Sequence, residues 1–151
     1  MTHRVAIGLC ALLCFSTGLA QAQQDDTMQR LRFLTGTWHC TGTIPGPAST
    51  PYTATRTYSF PATGPWMQEI YTTQVAGGQP QTIVQMWGPK TVYAFMPAGV
   101  ETKTVVGWNG NNFLARSTNP AYTLAMYGNA QSVEWTMGFP NGSSSVETCK
   151  R

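Results

Sequence analysis

His39 and Cys40 stand side by side in the segment FLTGTWHCTG, residues 33–42, a pairing of the two residue types that most often hold metal or supply a base and a thiol nucleophile. Chemistry of either kind needs more partners. The other histidine, His3, lies in the opening apolar segment, and no histidine follows His39. A metal centre would have to draw on one imidazole and a few scattered carboxylates. The chain contains no G-x-S-x-G, H-E-x-x-H or C-x-x-C motif and no glycine-rich phosphate loop. No metal and no cofactor is therefore expected.

Arg4 is followed by the mostly apolar run VAIGLCALLCFSTGLA, which ends in Ala20-Gln21-Ala22. This is the pattern of a secretory signal with an A-x-A cleavage site, so residues 1–22 are expected to be removed and 23–151 to form a single domain. The run is too short and too interrupted for a membrane span, and Leu9 and Leu13 precede Cys10 and Cys14 where lipidation favours a small residue. The expected address is secreted or periplasmic. Of nine basic and six acidic residues, only Arg4 leaves with the signal, so the net charge falls from +3 to +2. The remaining bases are scattered, which argues against a nucleic-acid or anionic-membrane surface.

Cys10 and Cys14 also leave with the signal, and Cys40 and Cys149 remain as one expected disulfide in an oxidising compartment. Beyond Gly36, β-branched and aromatic residues dominate and turn signals recur about every ten residues, as in an antiparallel all-β domain. Strands are expected at 37–43, 52–60, 66–75, 81–87, 91–96, 100–107, 112–118, 122–127, 131–137 and 144–149, with a short helix within 24–34 and a proline-rich loop at 44–51. Hairpin-length links favour an up-and-down meander. A disulfide between the first and last strands then requires the sheet to close, giving a barrel of about eight to ten strands.

Gly36-Thr37-Trp38 resembles the G-x-W start of calycin-type barrels, the group of lipocalins, fatty-acid-binding proteins and nitrobindin-like domains. Leu31 to Trp38, a short helix ending in a leucine and Gly-x-Trp before the first strand, and Pro65-Trp66-Met67-Gln68-Glu69, a third-strand pattern, resemble an uncharacterised family of secreted bacterial lipocalin-like domains. The likeness implies a fold and supplies no activity. Nitrobindin-like barrels hold haem through a histidine near the C-terminus, which this chain lacks. Secreted lysozyme-inhibitor barrels are similar in size and in their terminal Cys149-Lys150-Arg151, but their Ser-Gly-x-Lys/Arg-Tyr loop is missing here.

Strand periodicity turns His39 away from Trp38 and Cys40, towards solvent. Glu134 and Glu147 are expected to face outwards by the same rule. Glu69 lies in a strand with bulky residues in both phases, so an inward carboxylate would need a partner, and Arg56 or Arg116 could supply it. The candidate ligand-binding set is Arg56, Glu69 and Arg116 as polar groups with Trp87, Tyr93 and Trp108 as aromatic walls. The expected function is non-catalytic binding of a small, mostly apolar molecule. The alternatives are a protein-binding module, such as an inhibitor of a cell-wall hydrolase acting through 44–51 or 138–145, and a weak hydrolase or isomerase built on Glu69 and Arg116.

Overall fold

Short strands whose alternate residues are buried need a second apolar surface to face, and ten of them in one chain meet that need by curling onto themselves. A computed structural model of the chain describes residues 27–46, 49–62 and 64–151. The expected signal at 1–22 lies outside the described residues. The described strands are β1 (Gly36–Ile44), β2 (Thr50–Ser59), β3 (Met67–Val75), β4 (Gln81–Trp87), β5 (Thr91–Met96), β6 (Gly99–Asn109), β7 (Asn112–Thr118), β8 (Ala121–Gly128), β9 (Ser132–Gly138) and β10 (Ser144–Lys150). Each pairs antiparallel with its neighbour in sequence, and β10 pairs with β1 to close the barrel. The expected all-β, up-and-down barrel is the fold observed. Among the described residues no helix is long and apolar enough to cross a membrane.

The closing seam carries the disulfide. Cys40 and Cys149 are register partners on β1 and β10, with Cα atoms 4.0 Å apart. His39, one residue earlier, is exposed on the outer wall, as the alternation requires. The 44–51 loop is shorter than expected, because Ile44 pairs with Thr50 and the hairpin ladder runs almost to its tip. Pro51 is accommodated because β3 pairs with β2 only from Tyr52 onwards, so its missing N–H removes no bond on that side.

The two ends of the barrel differ. Residues 27–34 form a short helical segment whose Met28, Leu31 and Leu34 are buried across one end. Trp38, fully buried, donates its indole N–H to the Leu34 carbonyl at 2.6 Å, which fixes the segment as a plug. Arg151 latches it from outside: its Nη2 donates to the carbonyls of Phe33 and Thr35 at 2.7 and 2.8 Å, and its guanidinium lies 4.7 Å from the Trp38 ring. Behind the plug, Tyr58, Met67, Trp87, Val92, Phe113, Met126 and Val133 fill the barrel. The opposite end, ringed by the β1–β2, β3–β4 and β9–β10 connections, carries no plug among the described residues.

The disulfide joins residues 109 apart, so removing it frees a long loop in the unfolded chain. The double variant Cys40→Ala, Cys149→Ala is expected to lose about 2 to 4 kcal/mol in urea unfolding while keeping its β-rich circular dichroism. An unchanged midpoint would show that the seam's hydrogen bonds alone hold the closure.

Candidate functional site

Halfway along the barrel the apolar filling gives way to charge. Arg56 on β2, Glu69 on β3 and Glu147 on β10 all point inwards and are 8%, 0% and 3% exposed, values at which an unpaired charge would not be tolerated. They are not unpaired. Arg56 donates through Nη1 to Glu69 Oε1, and through Nε to Glu147 Oε1 at 2.5 Å. The second oxygen of Glu69 accepts from Gln85 Nε2 at 2.9 Å and Trp87 Nε1 at 2.8 Å. That of Glu147 accepts from the hydroxyls of Tyr52 at 2.9 Å and Tyr71 at 2.8 Å. The Arg56 guanidinium also lies 3.9 Å from the Tyr71 ring.

A second cluster stands beside the first. Lys103 on β6 donates to Gln85 Oε1 at 3.2 Å and lies 3.5 Å from Glu101 Oε1, which also accepts the Tyr122 hydroxyl. Gln85 therefore bridges the two clusters, giving its amide N–H to Glu69 and its carbonyl to Lys103.

The site residues expected from sequence divide cleanly. Arg56, Glu69 and Trp87 meet in one network. Arg116 is exposed on the outer wall, so the Glu69–Arg116 pair required by the hydrolase or isomerase alternative is not formed, and Arg56 takes the partner's place. Tyr93 is 38% exposed and packs on Trp66 outside the barrel, because β5 turns Val92, Ala94 and Met96 inwards. Trp108 lies at the plugged end, where its indole N–H donates to the Thr27 carbonyl at 3.3 Å and Arg30 stacks on it at 3.9 Å.

Glu147 corrects the outward placement expected for it. The residue that sets its phase is Cys149, two positions on and turned into the barrel by its bond to Cys40, rather than Val146. The Cys40, Glu147 and Cys149 side chains lie within reach of a common ion, but both sulfurs are spent in the disulfide and offer no thiolate. Glu101, Lys103, Gln85 and the three tyrosines were also missed from sequence. Polar residues in both phases of β3 and β6 give no inward signal for Tyr71, Glu101 and Lys103, whereas Tyr122 shares the apolar phase of Leu124 and Met126 and could have been placed from it.

Above this shelf lies a chamber of about 150 Å³, walled by Arg56, Lys103, Glu101 and Glu147 together with Ala94, Leu124 and Trp135. Tyr52, Tyr71, Met137 and Ser145 line both the chamber and a wider vestibule of about 460 Å³ at the open end, rimmed by Ile44, Pro45, Gly78, Gln79 and Phe139. Chamber and vestibule thus share a wall, and the chamber ends on charge.

Burial sets the electrostatics. It works against the Arg56 charge, but the Tyr58 oxygen and the Glu69 and Glu147 carboxylates outweigh it and hold the guanidinium above its ordinary range. Lys103 is lowered, first by burial, with Glu101 opposing. Burial raises Tyr71 and Tyr122 and pushes Tyr52 up to about 12, with Glu147 adding to the effect on Tyr52.

The site and fold define a closed antiparallel barrel with one plugged end and one polar-floored cavity. No protein-family model and no curated protein matches the chain. Among solved structures it is similar to Rv2717c from M. tuberculosis, at 15% identity and a TM-score of 0.62, covering 83% of this chain and 96% of that one. A redesigned β-barrel, mFAP1, bound to DFHBI, aligns at 13% identity and a TM-score of 0.46, over 83% of this chain and 98% of that one. At this identity the first likeness establishes a shared fold and nothing of activity.

Glu69→Leu is expected to cost about 3 to 5 kcal/mol, since it strips Arg56 of one carboxylate and orphans the Gln85 amide and Trp87 indole donors. A double-mutant cycle with Arg56→Met should return a coupling of at least about 1 kcal/mol, and strict additivity would contradict the pairing. The tyrosines predict a pH dependence. In the unfolded chain Tyr52 loses its proton near 10, below its folded value of about 12. The stability tied to its neutral hydroxyl is thus complete below pH 10 and lost as the pH climbs towards 12. Urea unfolding of wild type should weaken across that window, and Tyr52→Phe, less stable by about 1 to 2 kcal/mol at neutral pH, should show a shallower decline.

Proposed function

We propose that the protein is a lipocalin-like barrel, secreted or periplasmic after loss of residues 1–22, that binds a small, mostly apolar molecule without transforming it. The observation that carries this reading is the pair of cavities, vestibule and chamber, that share Tyr52, Tyr71, Met137 and Ser145 as a common wall. The vestibule volume is typical of small-molecule sites, and about 150 Å³ is enough room for a group the size of benzene. Apolar walls take the body of the ligand, and a few fixed polar groups at the floor orient one end of it. The disulfide is compatible with an oxidising compartment.

Two features favour binding over the alternatives. Glu69 is saturated by three protein donors and fully buried, a poor state for a general acid or base that must touch a substrate. An inhibitor of a cell-wall hydrolase would be better served by a solid barrel presenting its rim, whereas here the rim segments around Ile44 and Phe139 border a cavity.

Ala94 is buried at the chamber wall, and Ala94→Phe should fill the space at a cost of about 1 to 3 kcal/mol. Native mass spectrometry of protein from its own host is expected to reveal a co-purifying small molecule, and a neutral, environment-sensitive naphthalene dye should bind wild type and not the folded Ala94→Phe variant. A host protein free of ligand together with equal dye binding by both chains would refute the reading.

A further inference from the structure

Trp38, Trp87 and Trp108 each give the indole N–H to an acceptor, the Leu34 carbonyl, Glu69 and the Thr27 carbonyl respectively. Trp135 does not. Its Nε1 is buried, in a residue 3% exposed, and takes no partner among the described residues. Two other buried polar atoms share that condition, the Tyr58 hydroxyl and Ser117 Oγ, but neither residue borders the chamber, whereas Trp135 is part of its wall. The rest of the Trp135 side chain is engaged: Arg56 lies 5.1 Å from the ring and Trp87 packs on it with centroids 5.6 Å apart. The N–H is the group of this side chain still without a partner. A buried donor left unpaired is costly, and an acceptor brought into the chamber would relieve it.

Charge decides among acceptors. Among the described residues the interior network sets Arg56 and Lys103 against Glu69, Glu101 and Glu147, two formal positive charges against three negative. A carboxylate ligand would add a fourth negative charge to a layer whose cations already serve the protein, Arg56 binding two carboxylates and Lys103 lying against Glu101 and Gln85. An amine brings a donor where a donor is what stands unpaired. The rings that would hold its charge are also occupied, those of Tyr71 and Trp135 by Arg56 and that of Tyr122 by Lys103. A neutral carbonyl oxygen accepts, adds no charge, and carries no proton that needs a partner in turn.

We infer that the chamber takes the carbonyl group of a neutral, mostly apolar ligand, a ketone or ester, and that the Trp135 indole N–H is the donor that recognises it. The inference rests on the ligand-binding reading above and adds the chemical class of the ligand and the residue that reads it. Ala94 and Leu124, on the same wall, supply the apolar surround in which such a hydrogen bond is strengthened.

The test compares acetophenone with α-methylstyrene, the same shape with C=CH2 in place of C=O, and with benzoate, at neutral pH. In wild type, acetophenone is expected to move the Trp135 indole N–H proton resonance downfield, and α-methylstyrene is not; the resonance is assigned by its loss in Trp135→Phe. By calorimetry, Trp135→Phe should weaken acetophenone about three- to tenfold and change α-methylstyrene by less than about twofold, since only the ketone loses a hydrogen bond. Benzoate should bind wild type about tenfold more weakly than acetophenone. If Trp135→Phe does not fold, the wild-type resonance decides alone. Acetophenone binding that leaves every indole N–H unmoved, an equal loss of both neutral probes in Trp135→Phe, or a preference for benzoate overturns the inference and leaves the ligand-binding reading intact. Acetophenone binding that persists in folded Ala94→Phe lies outside the chamber and overturns it as well. No binding of any probe at millimolar concentration removes both.

Discussion

The structure turns on a guanidinium held between two carboxylates inside a barrel. Arg56 reaches Glu69 on one neighbouring strand and Glu147 across β1, so the network ties β2, β3 and β10 together on either side of the closing seam. Three buried charges are costly to desolvate, and they are tolerated only because each carboxylate oxygen also meets neutral donors or the arginine itself. That requirement fixes register. A one-residue slip of β2 against β3 would turn Arg56 to solvent and leave Glu69 buried without its cation, so the polar layer specifies the pairing more sharply than the apolar filling beneath it could.

The same layer explains why one end of the barrel is solid and the other hollow. Below it the inward positions are large and apolar, with Trp38, Trp87, Tyr58 and Phe113 packed under the helical plug. Trp87 joins the two regimes, its ring in contact with Phe113 and Trp135 and its N–H spent on Glu69. Above it the inward positions include Ala94 and Ser145, too small to meet across the lumen, and tyrosines drawn aside by their bonds to Glu147 and Glu101. The chamber is therefore a consequence of where hydroxyl groups must reach.

Much of this was legible in the sequence, and the exceptions have particular causes. The glycine, proline and asparagine turn signals delimited all ten described strands to within a few residues, and Cys40 and Cys149, one in each terminal strand, required the sheet to close. Arg56 and Glu69 were legible because the bulky residues around them left burial as a real alternative. Tyr93 misled because β5 places its aromatic residues outside and Ala94 inside, the reverse of what size alone favours. Around Trp108 the two-residue period fails: the bulge between Val105 and Gly107, with Gly107 at φ +104°, turns Val106 out and resets the phase of the rest of β6. Glu147 could have been placed from Cys149, since residues two apart on a strand share a face. Glu101 and Lys103 could not, because threonine and valine fill the other phase of β6 and neither side looks like a core.

Depth in the barrel separates structural charges from available ones. Glu69, the most buried, has its oxygens shared among three donors, and a ligand could reach it only by breaking a bond that holds the fold. Glu147, nearer the open end, is equally saturated but through the hydroxyls of Tyr52 and Tyr71, which also line the vestibule. Their remaining lone pairs can accept from an incoming group without disturbing the arginine. Glu101 meets Tyr122 and Lys103 through a single oxygen. The network thus loosens towards the mouth: the deepest groups hold the register, and those nearer the open end are spared that task.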